Sequence, residues 1–254
     1  MNHNLTENKI FQRVGRNLYF TDSGRNLIEC STLTGEYRTV IIYNRLQRPR
    51  DIALDSSQGL LFWTHSAGFR FNQASNQQQP TSGILERSSL DGSRRTVLIA
   101  GDRTLPRALT LDYQGHRLYF CDANQKQIES IDYDGNNRRL ILKAVQPYAL
   151  TLHAGLLYYT DYHAKRLQRV KLDGLEPDAD LTPTIQSDQS PFLNRSVHGV
   201  ETLLSGLDNL MDVKMFHSER PARVFIPAYG SNNCSSLRCE QLCLLNEKVR
   251  DNYL

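Results

Sequence analysis

Leu18-Tyr19-Phe20-Thr21-Asp22 is the first of four similar boxes in this 254-residue chain. The other three boxes are Leu61-Phe62-Trp63-Thr64-His65, Leu118-Tyr119-Phe120-Cys121-Asp122 and Leu157-Tyr158-Tyr159-Thr160-Asp161. They follow one another at intervals of 43, 57 and 39 residues. Repetition at about forty residues is typical of a propeller or a similar array, in which each repeat buries its core against the next. The longest interval contains Gln73–Thr81, a Gln-rich stretch that we interpret as a loop insertion.

Two more elements keep their place in each repeat. Tight turns are predicted at Thr34-Gly35, Asp91-Gly92, Asp134-Gly135 and Asp173-Gly174, where glycine supplies a positive φ. Alternating apolar residues predict half-buried strands at Pro49–Asp55, Pro106–Asp112 and Pro147–His153. Each repeat therefore offers about four short strands, and a helical period of useful length is missing. The sequence predicts an all-β propeller.

The boxes have a structural interpretation before any functional one. In a propeller the sheets pack face to face, so that Tyr19, Trp63, Tyr119 and Tyr158 are expected to fill the space between blades. Carboxylates repeated at one position, Asp22, Asp122 and Asp161, are better explained as hydrogen-bonded structural groups than as catalysts. His65 and Cys121 depart from the pattern, so the second and third blades are expected to be less regular there.

Composition excludes several partners. A net charge of +3, without blocks of Arg or Lys, argues against nucleic acid. No apolar run is long enough to cross a bilayer, and the polar first residues contain no signal peptide. Cys234, Cys239 and Cys243 form a cluster whose spacing favours a disulfide-stapled loop in an oxidising compartment over a zinc site. Asn4 and Asn194 begin glycosylation sequons. We expect no metal and no cofactor.

The boxes, the Pro-x-x-Ile/Leu-x-Leu strands and the Asp-Gly turns resemble the class B (YWTD) repeats of the low-density lipoprotein receptor family. The resemblance covers residues 14–217, after a polar segment at 1–13, and Leu210–His217 resembles the closing strand of such a propeller. A linker at 218–232 precedes an incomplete EGF-like module at 233–254, in which the resemblance implies a Cys234–Cys243 disulfide. Gly206–Asp212 is most similar to the Wnt co-receptor branch.

The resemblance also implies where the protein works. Family propellers have six blades, so four boxes imply a partial propeller of four to five blades. The chain is expected on the extracellular side of the plasma membrane, as part of a longer single-pass receptor. Its partners would be an extracellular protein ligand and the neighbouring EGF-like and propeller modules of that receptor.

Position by position, the resemblance also predicts a ligand-binding face. Its residues would be Arg48, Arg50, Leu105, Arg107, Gln146, Tyr148, Tyr162 and His163. Arg50 and Arg107 stand where Wnt co-receptors often have Asn, which favours a more acidic ligand because guanidinium groups pair bidentately with carboxylates. The alternative is that these arginines only cover a solvated rim.

Two other functions compete with the receptor hypothesis. A basement-membrane adhesion propeller of the nidogen type would use the same fold with another partner. A propeller enzyme would need carboxylates or histidines that converge from the inner strands, and these strands offer only Asp51 and Thr110 as polar candidates. No catalytic motif accompanies them. We therefore expect that the chain is not an enzyme.

Overall fold

A computed structural model describes residues 17–72, 77–172, 199–207 and 211–213, with the side chains of 70–80 excepted. Over these residues the chain is all-β. The strands are β1 (Asn17–Asp22), β2 (Leu27–Thr32), β3 (Arg38–Ile42), β4 (Ile52–Asp55), β5 (Leu60–Asn72), β6 (Gln77–Ser89), β7 (Thr96–Gly101), β8 (Pro106–Asp112), β9 (Arg117–Asp122), β10 (Gln127–Asp132), β11 (Arg139–Lys143), β12 (Pro147–His153), β13 (Leu156–Asp161), β14 (Arg166–Lys171) and β15 (Val200–Ser205). In this part of the chain no helix has the length and apolar character needed to span a membrane.

The strands form four antiparallel sheets, one for each box, which confirms the predicted partial propeller. The sheet orders are β1-β2-β3, β4-β5-β6-β7, β8-β9-β10-β11 and β12-β13-β14-β15. In each four-stranded sheet the box strand pairs with an inner strand, as Trp63 does with Ile52 and Tyr159 with Leu150. The Gly residues of the three described turns, Gly35, Gly92 and Gly135, all have a positive φ.

The described residues group into two compact units, each with its own apolar core. In the first unit, residues 17–66 with 85–97, Tyr19 of one sheet packs with Trp63 of the next. In the second, which holds the sheets of β8–β15, Tyr119 packs with Leu150 and Tyr159. Tyr158 is only half-buried. Successive sheets of each unit thus pack through the aromatic residues of the boxes and the aliphatic residues of the inner strands.

The second sheet differs from the others because two of its strands are 13 residues long. β6 begins at Gln77, so the predicted loop insertion Gln73–Thr81 is partly wrong: its second half continues the strand. The box of this sheet ends in His65, where the others have the aspartate that accepts the backbone N–H groups of a tight turn. The expected irregularity of the third sheet is also wrong, because its register matches that of the fourth around the buried Cys121.

Each of the first three sheets contains a buried glutamate that is held by an arginine nine residues later. The pairs are Glu29–Arg38, Glu86–Arg95 and Glu129–Arg138. In each case the guanidinium also lies over an aromatic ring of the box: Phe20, Trp63 and Phe120. A carboxylate buried at this depth is stable only when it is paired and hydrogen-bonded. We infer that the arginine neutralises the glutamate and covers the aromatic ring at the same time.

The buried thiol of Cys30 is expected to react slowly in the folded chain. Burial raises the pKa of the Cys30 thiol to about 11, because the thiolate would be desolvated inside the first core. The folded chain should therefore resist alkylation at Cys30 near pH ~8, where an exposed thiol of pKa about 8.5 reacts. Alkylation followed by peptide mapping checks this: Cys30 should be labelled only in denaturant. Rapid labelling of Cys30 in the folded chain would contradict the buried position.

The raised pKa of Cys30 also makes the stability of the fold depend on pH. The folded state holds the proton more tightly than the unfolded state, so the contribution of Cys30 is complete below the unfolded pKa of about 8.5. It is lost as the pH rises towards about 11.

Candidate functional site

Loops of the second unit gather at one end of its two sheets. Pro106 pairs with Asp122, Asp122 with Gln127, and Gln127 with Lys143, so these residues share one end of the third sheet. The fourth sheet repeats the arrangement, since Pro147 pairs with Asp161 and Asp161 with Arg166. We call the segments 101–107, 122–127, 143–148 and 161–166 the loop end, and the opposite end, with residues 113–116 and 133–139, the turn end.

Asp122 fixes two loops at the loop end of the third sheet. It is fully buried, and its carboxylate accepts hydrogen bonds from the hydroxyl of Thr104 at 2.5 Å and the backbone N–H of Leu105 at 3.2 Å. It also accepts the N–H groups of Asn124 and Gln125, both at 2.9 Å. A carboxylate committed to four donors is a structural group, because its lone pairs are occupied.

Asp161 performs the same task in the fourth sheet. Its carboxylate accepts the N–H groups of Val145 at 2.8 Å and of Gln146 and Ala164 at 3.2 and 2.9 Å. In the first unit Asp22 accepts the N–H of Arg25 at 2.8 Å. The repeated aspartates thus hold the backbone of the loops, and the side chains those loops present to solvent are the ones available to a ligand.

Three of the residues that the sequence predicts for the ligand-binding face come together at the loop end. The guanidinium carbon of Arg107 lies 5.5 Å from the ring centroid of Tyr148. The ring of Tyr148 lies 5.8 Å from that of Tyr162, tilted by 36°. All three side chains are partly exposed. The result is a row of one cation and two aromatic rings, carried by the second residues of two inner strands and by one turn.

The other residues of this unit that were predicted for the ligand-binding face lie outside this row. Leu105 is buried at 3% exposure, so it supports the loop from below. Gln146 is half-buried, and its carbonyl accepts the N–H of Tyr162 at 3.0 Å. His163 is exposed beside Tyr162.

Arg48 and Arg50 belong to the first unit. Arg48 is exposed and has a positive φ of 45°, and its backbone N–H donates to Asn26 Oδ1 at 2.7 Å. Arg50 is half-buried, and its backbone pairs with Thr64 while its carbonyl accepts the hydroxyl of Thr21 at 3.0 Å. Hydrogen bonds of their backbone atoms therefore fix the positions of both arginines.

The first unit also contains a buried ionic cluster where the box aspartate is replaced. His65 Nε2 lies 3.4 Å from Glu86 Oε2, and Arg95 approaches the same oxygen at 2.6 Å. Burial acts to raise the pKa of Glu86, but the hydrogen bonds and charges of His65 and Arg95 outweigh it and hold that pKa below its usual value. Arg95 further donates to the carbonyls of Asn44 and Arg45. This cluster ties neighbouring loops together.

Met211 lies outside the four segments of the loop end, but it continues their row, and the sequence did not predict it as a site residue. The N–H of Leu207 donates to the carbonyl of Lys165 at 3.2 Å, just as Ala144 donates to Lys126 at 2.9 Å one sheet earlier. Tyr148 comes four residues after Ala144, and Met211 comes four residues after Leu207. Asp212 Oδ1 then accepts the N–H of Val213, as Asp51 Oδ1 accepts that of Ile52 at the start of an inner strand.

Met211 therefore stands in register with Tyr148 and Arg107. Its side chain is 53% exposed. The signal was present in the sequence as the resemblance of Leu210–His217 to a closing strand, but only the two loop hydrogen bonds align Met211 with the predicted ligand-binding face.

Potential metal ligands do not cluster in the part of the chain that the structure describes. No three His, Cys, Asp or Glu side chains there are arranged to hold a metal ion. Asp51 is buried and uses a carboxylate oxygen on the N–H of Ile52 at 3.0 Å. The predicted disulfide Cys234–Cys243 and the sequons at Asn4 and Asn194 lie outside the described residues.

Comparison with known proteins identifies proteins that are similar to this chain in sequence. The family profile described as low-density lipoprotein receptor repeat class B matches residues 16–56. The vitellogenin receptor of Solenopsis invicta is 27% identical over 237 residues, which are 92% of this chain and 11% of the relative. Human low-density lipoprotein receptor-related protein 5 is 32% identical over 158 residues, 61% of this chain and 9% of the relative. The chain thus spans about a tenth of the length of these curated relatives.

A solved structure shares the fold. A chain in a crystal structure of a nidogen/laminin complex matches with a TM-score of 0.53 and 29% identity, covering 62% of this chain and 56% of that one. The repeated boxes, the four antiparallel sheets and these relatives agree with one another. Residues 16–56 match a low-density lipoprotein receptor class B repeat, and the chain is similar in sequence and fold to proteins that carry such repeats.

Proposed function

We propose that this chain is the extracellular ligand-binding segment of a low-density lipoprotein receptor-related cell-surface receptor, and that it recognises protein without catalysis. The observation that carries the proposal is the row of Arg107, Tyr148 and Tyr162 at the loop end. Aromatic residues and arginine dominate the binding energy of protein interfaces, because they bury large areas at a small entropic cost. The box aspartates, the most conspicuous carboxylates, are occupied by backbone N–H groups.

The names of two relatives support a receptor function. One is named a vitellogenin receptor and the other a low-density lipoprotein receptor-related protein. An endocytic receptor and a Wnt co-receptor are both compatible with this kinship. In either role the segment would lie outside the plasma membrane, between neighbouring EGF-like and propeller modules of a longer chain.

A second candidate is a basement-membrane adhesion propeller. The structural neighbour from the nidogen/laminin complex favours it, because its fold is the same at 29% identity. An adhesion propeller would use the loop end for a matrix protein in place of a soluble ligand. The two candidates differ in partner and share the binding surface.

Surface plasmon resonance on the whole secreted chain tests the proposal, with vitellogenin and laminin as the two analytes. The variants are Arg107→Ala and Tyr148→Ala, and the matched control is Arg139→Ala, an exposed arginine of the turn end. We expect one analyte to bind and each loop-end variant to weaken it about 10- to 100-fold, the range for losing an interface anchor. The control should bind like the parent.

Vitellogenin binding supports the receptor and laminin binding supports the adhesion propeller. Failure of both analytes to bind, or equal binding by the parent and the loop-end variants, would overturn the proposed function.

A further inference from the structure

We propose that the ligand of the loop end is an acidic, extended protein segment with an apolar residue beside its carboxylates. This inference rests on the proposed function and specifies the chemistry of the partner. Three observations carry it: the charge of the loop end, the stacked position of Arg107, and the exposed Met211 in register with it.

The loop end is strongly basic although the whole chain is nearly neutral. Its four segments carry six cationic side chains: Arg103, Arg107, Lys126, Lys143, Lys165 and Arg166. Five of the six are exposed, and Arg107 is partly exposed. Asp102 is the exposed carboxylate of these segments, since Asp122 and Asp161 are buried. A surface with this excess attracts acidic partners and repels basic ones.

Backbone geometry keeps two of the lysines at the surface. Lys126 and Lys165 both occupy the fourth position after a box aspartate, with φ of 56° and 53°. Their carbonyls accept the N–H groups of Ala144 and Leu207, so the turn is anchored on its backbone side. Both lysine side chains are exposed. Their charges are thus held at equivalent places above successive sheets.

Arg107 has the geometry of a carboxylate-binding residue. Its guanidinium lies over the ring of Tyr148, which holds the planar group by a cation–π contact. A stacked guanidinium still presents N–H groups along its edge, and these match the two oxygens of a carboxylate. Tyr148 and Tyr162 extend the row with aromatic faces, on which an apolar side chain of the ligand can pack.

Met211 sets the apolar part of the ligand. Arg107 and Tyr148 are in contact at the start of successive inner strands, and Met211 holds the equivalent position after the fourth sheet. Its exposed side chain can pack against an apolar side chain of the ligand. The partner should therefore present a carboxylate near Arg107 and, further along an extended segment, an apolar side chain near Met211.

Fluorescence polarisation with three synthetic peptides tests the proposal on the whole chain. The peptides share one Gly/Ser sequence with a single Leu and differ at four positions, which are all Asp, all Asn or all Lys. We expect the Asp peptide to bind about tenfold or more tightly than the Asn peptide, the ratio for hydrogen bonds to a charged group. The Lys peptide should show no saturable binding.

Substitutions locate the binding. Arg107→Ala should weaken the Asp peptide about 10- to 100-fold, and Lys126→Ala a few-fold, roughly as for an exposed charge pair. Arg139→Ala and Lys171→Ala are the matched controls at the opposite end of the sheets and should leave binding unchanged. Replacing the Leu of the Asp peptide by Gly should weaken its binding to the parent chain about 3- to 10-fold. In Met211→Ser the same replacement should leave the affinity unchanged, because the apolar contact is already absent.

The outcomes separate this inference from the proposed function. Equal binding of the Asp and Asn peptides overturns the acidic ligand, and the proposed function stands if vitellogenin or laminin binding still depends on Arg107. Binding of a heparin oligosaccharide without the Asp peptide overturns it in favour of a sulfated glycan. Loss of every dependence on Arg107, for peptides and proteins alike, removes both proposals.

Discussion

Trp63→Ala should destabilise the first unit by about 3–5 kcal/mol, the usual cost of truncating a large buried aromatic residue. Trp63 is fully buried at 0% exposure, within the core that joins the first two sheets. It also carries the guanidinium of Arg95 at 5.5 Å from its ring, and Arg95 neutralises the buried Glu86. Removal of the ring opens a cavity and removes the cation–π contact that supports Arg95 in its ion pair with Glu86.

Chemical denaturation followed by circular dichroism measures this loss. Trp63→Phe serves as the conservative variant and should cost about 1–2 kcal/mol, because it keeps most of the buried area. Tyr43→Ala is the control, since Tyr43 is 69% exposed and its truncation should cost under about 0.5 kcal/mol. A stable Trp63→Ala variant would contradict the packing of the first unit.

Asp122→Ala should destabilise the second unit by about 3 kcal/mol. The substitution leaves the N–H groups of Leu105, Asn124 and Gln125 and the hydroxyl of Thr104 without their acceptor. Each buried donor that loses its partner costs about 1–3 kcal/mol, and access of water to the opened loop recovers part of the sum. The loops that carry Arg107 should lose order together with this stability.

Hydrogen exchange resolves the effect by segment. In Asp122→Ala, the amides of residues 101–107 and 122–127 should exchange faster than in the parent, while the turn end stays protected. Asp134→Ala is the matched control, because its carboxylate caps an exposed turn at the opposite end. Normal protection of Asn124 and Gln125 in Asp122→Ala would contradict the capping role.

Local sequence patterns predicted the sheets because their causes are local. Alternation of apolar residues defines which face of a strand is buried, and the turn glycines permit the positive φ that closes each hairpin. The one large departure, the 13-residue strands β5 and β6, lies in the longest interval between boxes, 57 residues, which follows the box that ends in His65. The extra residues of this interval lengthen both strands, and His65 cannot accept the several N–H groups by which an aspartate holds a tight turn.

The ion pairs could not be predicted because they depend on register. Glu129 and Arg138 are nine residues apart across a turn, and in the strand pairing Glu129 faces Leu140. The ion pair is therefore a diagonal contact between neighbouring strands, and the sequence carries no local sign of it. All three Glu–Arg pairs have the same spacing of nine residues. This constant spacing is the sequence signal by which such pairs could be found.

The candidate site was predicted in part. Arg107 and Tyr148 hold equivalent positions in successive repeats, so the sequence placed them on one face. Their stacking, and the alignment of Met211 with them, depend on how neighbouring sheets and loops pack, which is tertiary information. Leu105 was predicted for the face by the same rule, and the structure buries it under the loop.

The loop end of the second unit is the proposed binding surface for the protein ligand. Hydrogen exchange of the whole chain, with and without a saturating partner from the binding assay, tests this placement. We expect slower exchange at residues 101–107, 122–127, 143–148 and 161–166, with no change at 113–116 and 133–139. Protection confined to the turn end, with the loop end unchanged, would contradict it.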